Sequence, residues 1–239
     1  MHSHYNILEL LAHYIAGLPV AIPLLKIMKR FVTNIKKKFN SSHGKQWPPY
    51  HSKEEVSSRL KLLVRDKGVF HQQGDQEGSV VLQSSLAYSD LFKVKPSGKK
   101  PVRKVLVEGD GGIGKTTFCT SICKDWASGK LFQQFELLLF IPLHHKKLGS
   151  ACSLPELLKL LYSSEKEKVC VSVANYLEEE KGKNVLVIAD GWDQLDESER
   201  QNGSFLSRLL FGSNYPFLSV VLTSRPSSSA QLHRLPCID

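Results

Sequence analysis

The feature that most constrains this chain is residues 109–116, whose eight side chains match G-x-x-x-x-G-K-[ST] at every position. Val105, Leu106 and Val107 just before it are an apolar run of strand type, and residues 116–126 after it have helical periodicity. A glycine-rich turn between a strand and a helix points successive backbone N–H groups at one anion, because no Cβ blocks the approach. Gly109, Asp110, Gly111, Gly112, Ile113 and Gly114 form that cradle. Lys115 supplies a positive charge for the β- and γ-phosphates, the Thr116 hydroxyl is a ligand for Mg²⁺, and Thr117 completes the phosphate-contacting set. The helix dipole adds to the attraction for an anion. A nucleotide with Mg²⁺ is therefore the expected ligand.

Two further segments deliver polar groups at the ends of apolar strands. Residues 185–189 are apolar and lead into Asp190, Gly191, Trp192, Asp193 and Gln194. In an open parallel sheet ligands bind at the carboxyl ends of the strands, so Asp190 is expected to hold Mg²⁺ through a water. Asp193 is placed to orient or deprotonate an attacking water. Residues 218–223 read as another buried strand, apolar at 220–222, leading into Ser224, Arg225 and Pro226. The Arg225 guanidinium, with its forked donors, is the candidate for distinguishing triphosphate from diphosphate. Asp193 and Arg225 are thus the candidate catalytic pair.

The alternation of elements gives the fold class. Strands are expected at residues 105–107, 137–143, 185–189 and 218–223, with helices at 116–126, 154–162, 169–180 and 197–211. Strands apolar on both faces and separated by helices predict an α/β fold, a parallel-sheet P-loop NTPase core with helices on both faces. Residues 102–239 are that nucleotide-binding domain, and no internal repeat is evident in it.

The first 101 residues differ in texture. Residues 1–39 form an apolar, then basic helical segment, apolar over residues 7–25 and basic at Lys26, Lys29, Arg30, Lys36, Lys37 and Lys38. A membrane span needs about 20 apolar residues, and this run is interrupted by Glu9, His13, Pro19 and Pro23. The favoured reading is a pair of amphipathic helices broken at residues 17–23 that dock on the domain or on a partner. The competing reading is weak membrane association through residues 7–38. Residues 40–101 read as a linker through Trp47, Pro48 and Pro49, then a short helix at 54–67 and an irregular stretch with one strand at 79–82.

The net charge of +9 suggests a nucleic-acid binder until it is divided along the chain. Residues 1–104 carry 18 basic and 7 acidic side chains, residues 105–239 carry 14 and 16. The excess is a basic leader on a near-neutral domain, so no specific nucleic-acid binding is expected. The five cysteines, Cys119, Cys123, Cys152, Cys170 and Cys237, include no C-x-x-C pair and read as reduced thiols of a cytoplasmic protein.

In this order the three motifs resemble the NACHT domain of NOD-like receptors, a branch of the STAND class of P-loop NTPases. The resemblance rests on G-D-G-G-I-G-K-T, on D-G-W-D, on L-T-S-R-P, and on the helix continuing as C-K-D-W-A-S-G-K-L-F. It covers residues 102 to about 235 and implies ATP or ADP as ligand, slow hydrolysis, and an oligomerisation switch in innate-immune signalling. Self-association or other signalling proteins are the implied partners. It also implies that the strand starting at Leu218 lies between the P-loop strand and the one ending at Asp190. Where the family commonly has Asp-Glu this sequence has Asp193 and Gln194, a neutral amide in place of a carboxylate. By the same resemblance the core is expected to be incomplete at its C-terminal end. A fifth strand, the helical and winged-helix clamp and a leucine-rich sensor would follow Asp239 in a whole receptor, so the chain reads as a fragment or truncated product. Two other classes compete: a turnover NTPase, such as a nucleotide kinase or a GTPase, and a nucleotide-free or membrane-tethered scaffold. The N-K-x-D segment that usually selects guanine is not found in the sequence.

Overall fold

The structure, a computed structural model, describes residues 21–41, 62–63, 85–86, 88–92, 102–145, 148, 151–201, 203–230 and 232. The helix α1 spans Ala21–Ser41 and is followed by the two-residue strands β1, Leu62–Leu63, and β2, Ser85–Leu86, which pair antiparallel. The α/β part then runs β3 (Lys104–Glu108), α2 (Lys115–Ala127), β4 (Leu137–Pro142), α3 (Leu154–Leu161), α4 (Glu167–Glu179), β5 (Val185–Asp190), α5 (Glu197–Arg200), α6 (Phe205–Phe211), β6 (Ser219–Ser224) and α7 (Pro226–Ser229).

β3, β6, β5 and β4 lie side by side in that order, and all three pairings are parallel. β6 therefore sits between β3 and β5, as the resemblance implies. Every residue of β5 and β6 is buried, which accounts for the apolar runs at residues 185–189 and 220–222 within them. The parallel register brings Glu108 opposite Ser224, and Asp190 opposite Pro142. The P-loop, Asp190 and Arg225 consequently leave the sheet at one edge.

Helices cover both faces of the sheet, completing a P-loop NTPase α/β core. Right-handed crossovers put α2 on one face and α4 on the other. α1 packs against both α2 and α4, bridging the two layers at the β4 end of the sheet. Met28, Phe31, Ile35 and Phe39, one stripe of α1, are buried in the same core as the strands. The Phe31 ring meets Tyr162 edge-on at 5.2 Å, and Lys36 Nζ stands 4.8 Å from the centre of the Trp126 ring. Asn34 donates to Glu165 at 2.7 Å. The edge strand β4 is buried along its length up to Pro142, which shields an edge that would otherwise be open to pairing.

Several expected elements differ. Of the break expected at residues 17–23, residues 17–20 lie outside the described residues, and residues 21–23 are already helical: α1 includes Ala21, and Pro23 sits in its first turn, where a missing N–H costs no helical bond. The apolar face of that helix goes to the domain. Among the described residues no helix is long and apolar enough to cross a membrane, while residues 7–20 lie outside them. The helix expected at 54–67 fails at Leu62 and Leu63, which are extended and pair with β2. The strand expected at 79–82 and the Trp47, Pro48 and Pro49 stretch fall outside the described residues. The helix expected at 197–211 is two helices. The chain leaves the helix at Gln201, which is extended, Gly203 follows at φ +117°, and Ser204 recaps the chain by accepting from the Ser207 N–H at 3.1 Å.

Gly182 closes α4 at φ +76°, its N–H donating to Leu177 O at 3.0 Å. A Cβ there would stand 2.8 Å from Leu218 Cβ and 3.0 Å from the Leu218 backbone. Gly182→Ala is therefore expected to cost about 1–3 kcal/mol of stability, from the positive φ and the contact together. Chemical denaturation of the two proteins checks it, and an unchanged midpoint would refute it.

Candidate functional site

The site grows from the turn between β3 and α2. Gly112 and Gly114 hold φ of +78° and +103°, which residues with a Cβ rarely adopt. They turn the chain so that α2 starts at Lys115. Phe118 is the first amide bonded back into this helix, to Gly114 O at 2.9 Å. The N–H groups of Lys115, Thr116 and Thr117 precede any intrahelical carbonyl and form the electropositive end of α2. Lys115 Nζ curls over the loop and donates to Gly109 O at 2.6 Å and to Asp110 O at 3.0 Å. An ammonium has three donors, so this posture holds the charge at the cradle with one left for a phosphate.

Asp190 ends β5 almost fully buried, and both of its carboxylate oxygens are engaged. Thr116 Oγ1 donates to Oδ2 at 2.7 Å, and Thr223 Oγ1 donates to Oδ1 at 2.7 Å. The Thr223 oxygen in turn accepts from the Gly191 N–H at 2.8 Å, tying the ends of β5 and β6 together. Cys119 Sγ lies 3.8 Å from Oδ1 behind the carboxylate. Burial, with the Asp190 charge second, pushes the Cys119 thiol well up, and burial does the same for Cys123. Both are therefore neutral packing groups.

The Thr116 and Asp190 oxygens form a hard oxygen pair at the mouth of the loop, which fits Mg²⁺. That ion keeps several waters and takes the rest of its shell from substrate phosphates. Among the described residues no group of three or more His, Cys, Asp and Glu side chains gathers as an all-protein metal site.

The 3₁₀ turn Trp192–Gln194 follows β5. Trp192 is buried with its ring edge-on to Phe211 at 5.5 Å, which anchors the turn and presents Asp193. Asp193 Oδ2 accepts from Arg225 Nε at 3.0 Å and from Gln194 Nε2 at 2.6 Å. Sequence had put Asp193 and Arg225 in one site for different reasons, and they are paired with each other there.

All twelve residues singled out in the sequence, Gly109 to Thr117, Asp190, Asp193 and Arg225, lie along the carboxyl edge of the sheet. Sequence reasoning assigned Thr223 no role, and it marked Gln194 only as a neutral amide in place of a carboxylate, not as a partner of Asp193. A lone threonine inside the fully buried run Ser219–Ser224 is a legible signal, since a buried hydroxyl needs a partner.

The NACHT domain family model matches residues 103–237, more than half of the chain. The chain belongs to the NACHT domain family. It is similar to NACHT, LRR and PYD domains-containing protein 3 of Mus musculus, 30% identical over 167 residues that cover 64% of this chain and 16% of that protein. It is also similar to NACHT, LRR and PYD domains-containing protein 12 of Homo sapiens, 27% identical over 191 residues, 73% of this chain and 17% of the relative. A third is NACHT, LRR and PYD domains-containing protein 10 of Mus musculus, 29% identical over 129 residues, 54% of this chain and 18% of the relative. The matches span less than a fifth of each relative's length. The residues described above thus belong to a nucleotide-binding NACHT module.

Proposed function

We propose that this NACHT module binds ATP or ADP with Mg²⁺ and works as a nucleotide-dependent switch in innate-immune signalling, with hydrolysis slow or absent. The single observation that carries the reading is the bond from Thr116 to Asp190 at 2.7 Å, which joins the start of α2 to the end of β5 beside the Lys115 ammonium. Lys115 and the amides at the start of α2 hold the phosphates, Thr116 ligates the ion, and Asp190 orients its waters. Bound Mg²⁺ supplies charge neutralisation for the phosphates. Arg225 reads the γ-phosphate and so the difference between the two nucleotides.

Slow turnover is supported by Gln194, a neutral amide where the family commonly has a carboxylate. Self-association and other signalling proteins are the proposed partners, by analogy with the receptors it resembles. The buried cysteines Cys119, Cys123 and Cys170 are free thiols, which suits a reducing, cytoplasmic setting. A turnover NTPase is the competing reading. Steady-state phosphate release faster than about one per second, in the range of ordinary enzymes, would favour it over the switch.

Thr116→Val tests the assignment of the ion. Its hydroxyl is gone but its shape is kept, so ATP affinity measured with Mg²⁺ is expected to fall to the value measured in EDTA. Calorimetric titration in both buffers decides, and a variant that keeps the full magnesium enhancement would exclude Thr116 as a ligand.

A further inference from the structure

Asp193 is placed by its spacing to act on water, but its contacts describe a different task. One oxygen, Oδ2, takes both the Arg225 Nε–H and the Gln194 amide, and the Asp193 side chain is only 6% exposed while Arg225 is 54% exposed. The carboxylate is the fixed member of the pair and the guanidinium the one that needs fixing. The fixed side is built from the fold. Asp193 rides on a turn pinned by Trp192 against Phe211, and that turn packs on α7, the helix that begins at Pro226 immediately after Arg225.

The way Arg225 is held matters. Asp193 binds it through Nε, at the side of the guanidinium plane, and leaves the two terminal nitrogens unclaimed by that contact. One of them, Nη2, faces the P-loop: a Cβ built on Gly111 would stand 3.8 Å from Arg225 Nη2 and 3.9 Å from Cζ. A forked, planar donor pair is thus presented beside the phosphate cradle, and clamping through Nε sets the plane of the fork. An arginine with a long flexible stem loses that orientation when its anchor is removed.

We propose that Asp193 is the positioning residue for Arg225, holding the guanidinium edge toward the loop at Gly111 so that the module prefers a nucleoside triphosphate to a diphosphate. Gln194 serves the same end, binding the shared oxygen and keeping the carboxylate turned to Arg225. This rests on the reading of Arg225 as the γ-phosphate contact.

The test is the ratio of ATP to ADP affinity, measured by calorimetry with Mg²⁺ for the wild type, Arg225→Gln and Asp193→Asn. Loss of one charge-assisted contact predicts a ratio about 10-fold lower in Arg225→Gln. Asp193→Asn, with Arg225 intact, is expected to lose most of the same preference. A ratio unchanged in Arg225→Gln overturns the reading of Arg225 and the proposal with it. A ratio lowered in Arg225→Gln but intact in Asp193→Asn overturns the positioning role alone. An Asp193→Asn protein with intact preference and slower single-turnover hydrolysis would assign the carboxylate to water instead. Where the amide variant lost both nucleotides, Asp193→Ser, smaller and neutral, gives the same ratio to read.

Discussion

Lys115→Ala is expected to weaken Mg-ATP binding by about 10- to 100-fold, because charge-assisted hydrogen bonds are worth about 1.5–3 kcal/mol each. Two contributions act in the same direction. The variant removes the point charge that faces the phosphates, and it frees the carbonyls of Gly109 and Asp110, which Lys115 Nζ holds at 2.6 and 3.0 Å. Those carbonyls are dipoles with their negative ends at the mouth of an anion site, and an ammonium between them and a phosphate offsets their repulsion. Titration of both proteins with a fluorescent ATP analogue reads the change, and equal affinities would dismiss the phosphate cradle as the binding element. The substitution removes no buried packing, so the melting temperature without nucleotide is expected to stay close to that of the wild type.

The second large effect is on stability. Phe31 is 1% exposed, stacked edge-on against Tyr162 in the same core as β4. Phe31→Ala is expected to cost about 3–5 kcal/mol, the range for emptying a buried aromatic site. For a domain whose total stability is about 5–15 kcal/mol this is a large share. Chemical denaturation of the full chain measures it. A loss below about 1 kcal/mol, the size of a surface change, would mean that α1 is an independent appendage. The expected loss would make the basic leader a structural part of the NACHT module, with Lys26, Lys29, Arg30 and Lys37 turned outward.

How much of this was legible in advance depended on whether the information is local. The P-loop was fully readable, since its glycines, lysine and threonine are contiguous and their geometry is set by backbone freedom and one strand-turn-helix junction. β4, β5 and β6 were readable to within a residue because strands buried on both faces need unbroken apolar runs. The split of the expected helix at 197–211 was not, because every apolar side chain in that stretch lies at Phe205 or beyond, so the helical period there carries no information on the polar run before it. The extended pairing of Leu62 and Leu63 was missed for a related reason: their partners are Leu86 and Ser85, and short apolar runs carry no period of their own.

Residue chemistry by itself marked out a candidate phosphate site with its lysine and its hydroxyl, and put a carboxylate and an arginine at the ends of two buried strands. Only the tertiary structure decided who touches whom: that Thr116 and Thr223 divide the two oxygens of Asp190, that Asp193 holds Arg225, and that α1 joins the core. The reason is that partners tens of residues apart are brought together by the order and register of parallel strands, and no local pattern encodes which strand lies beside which.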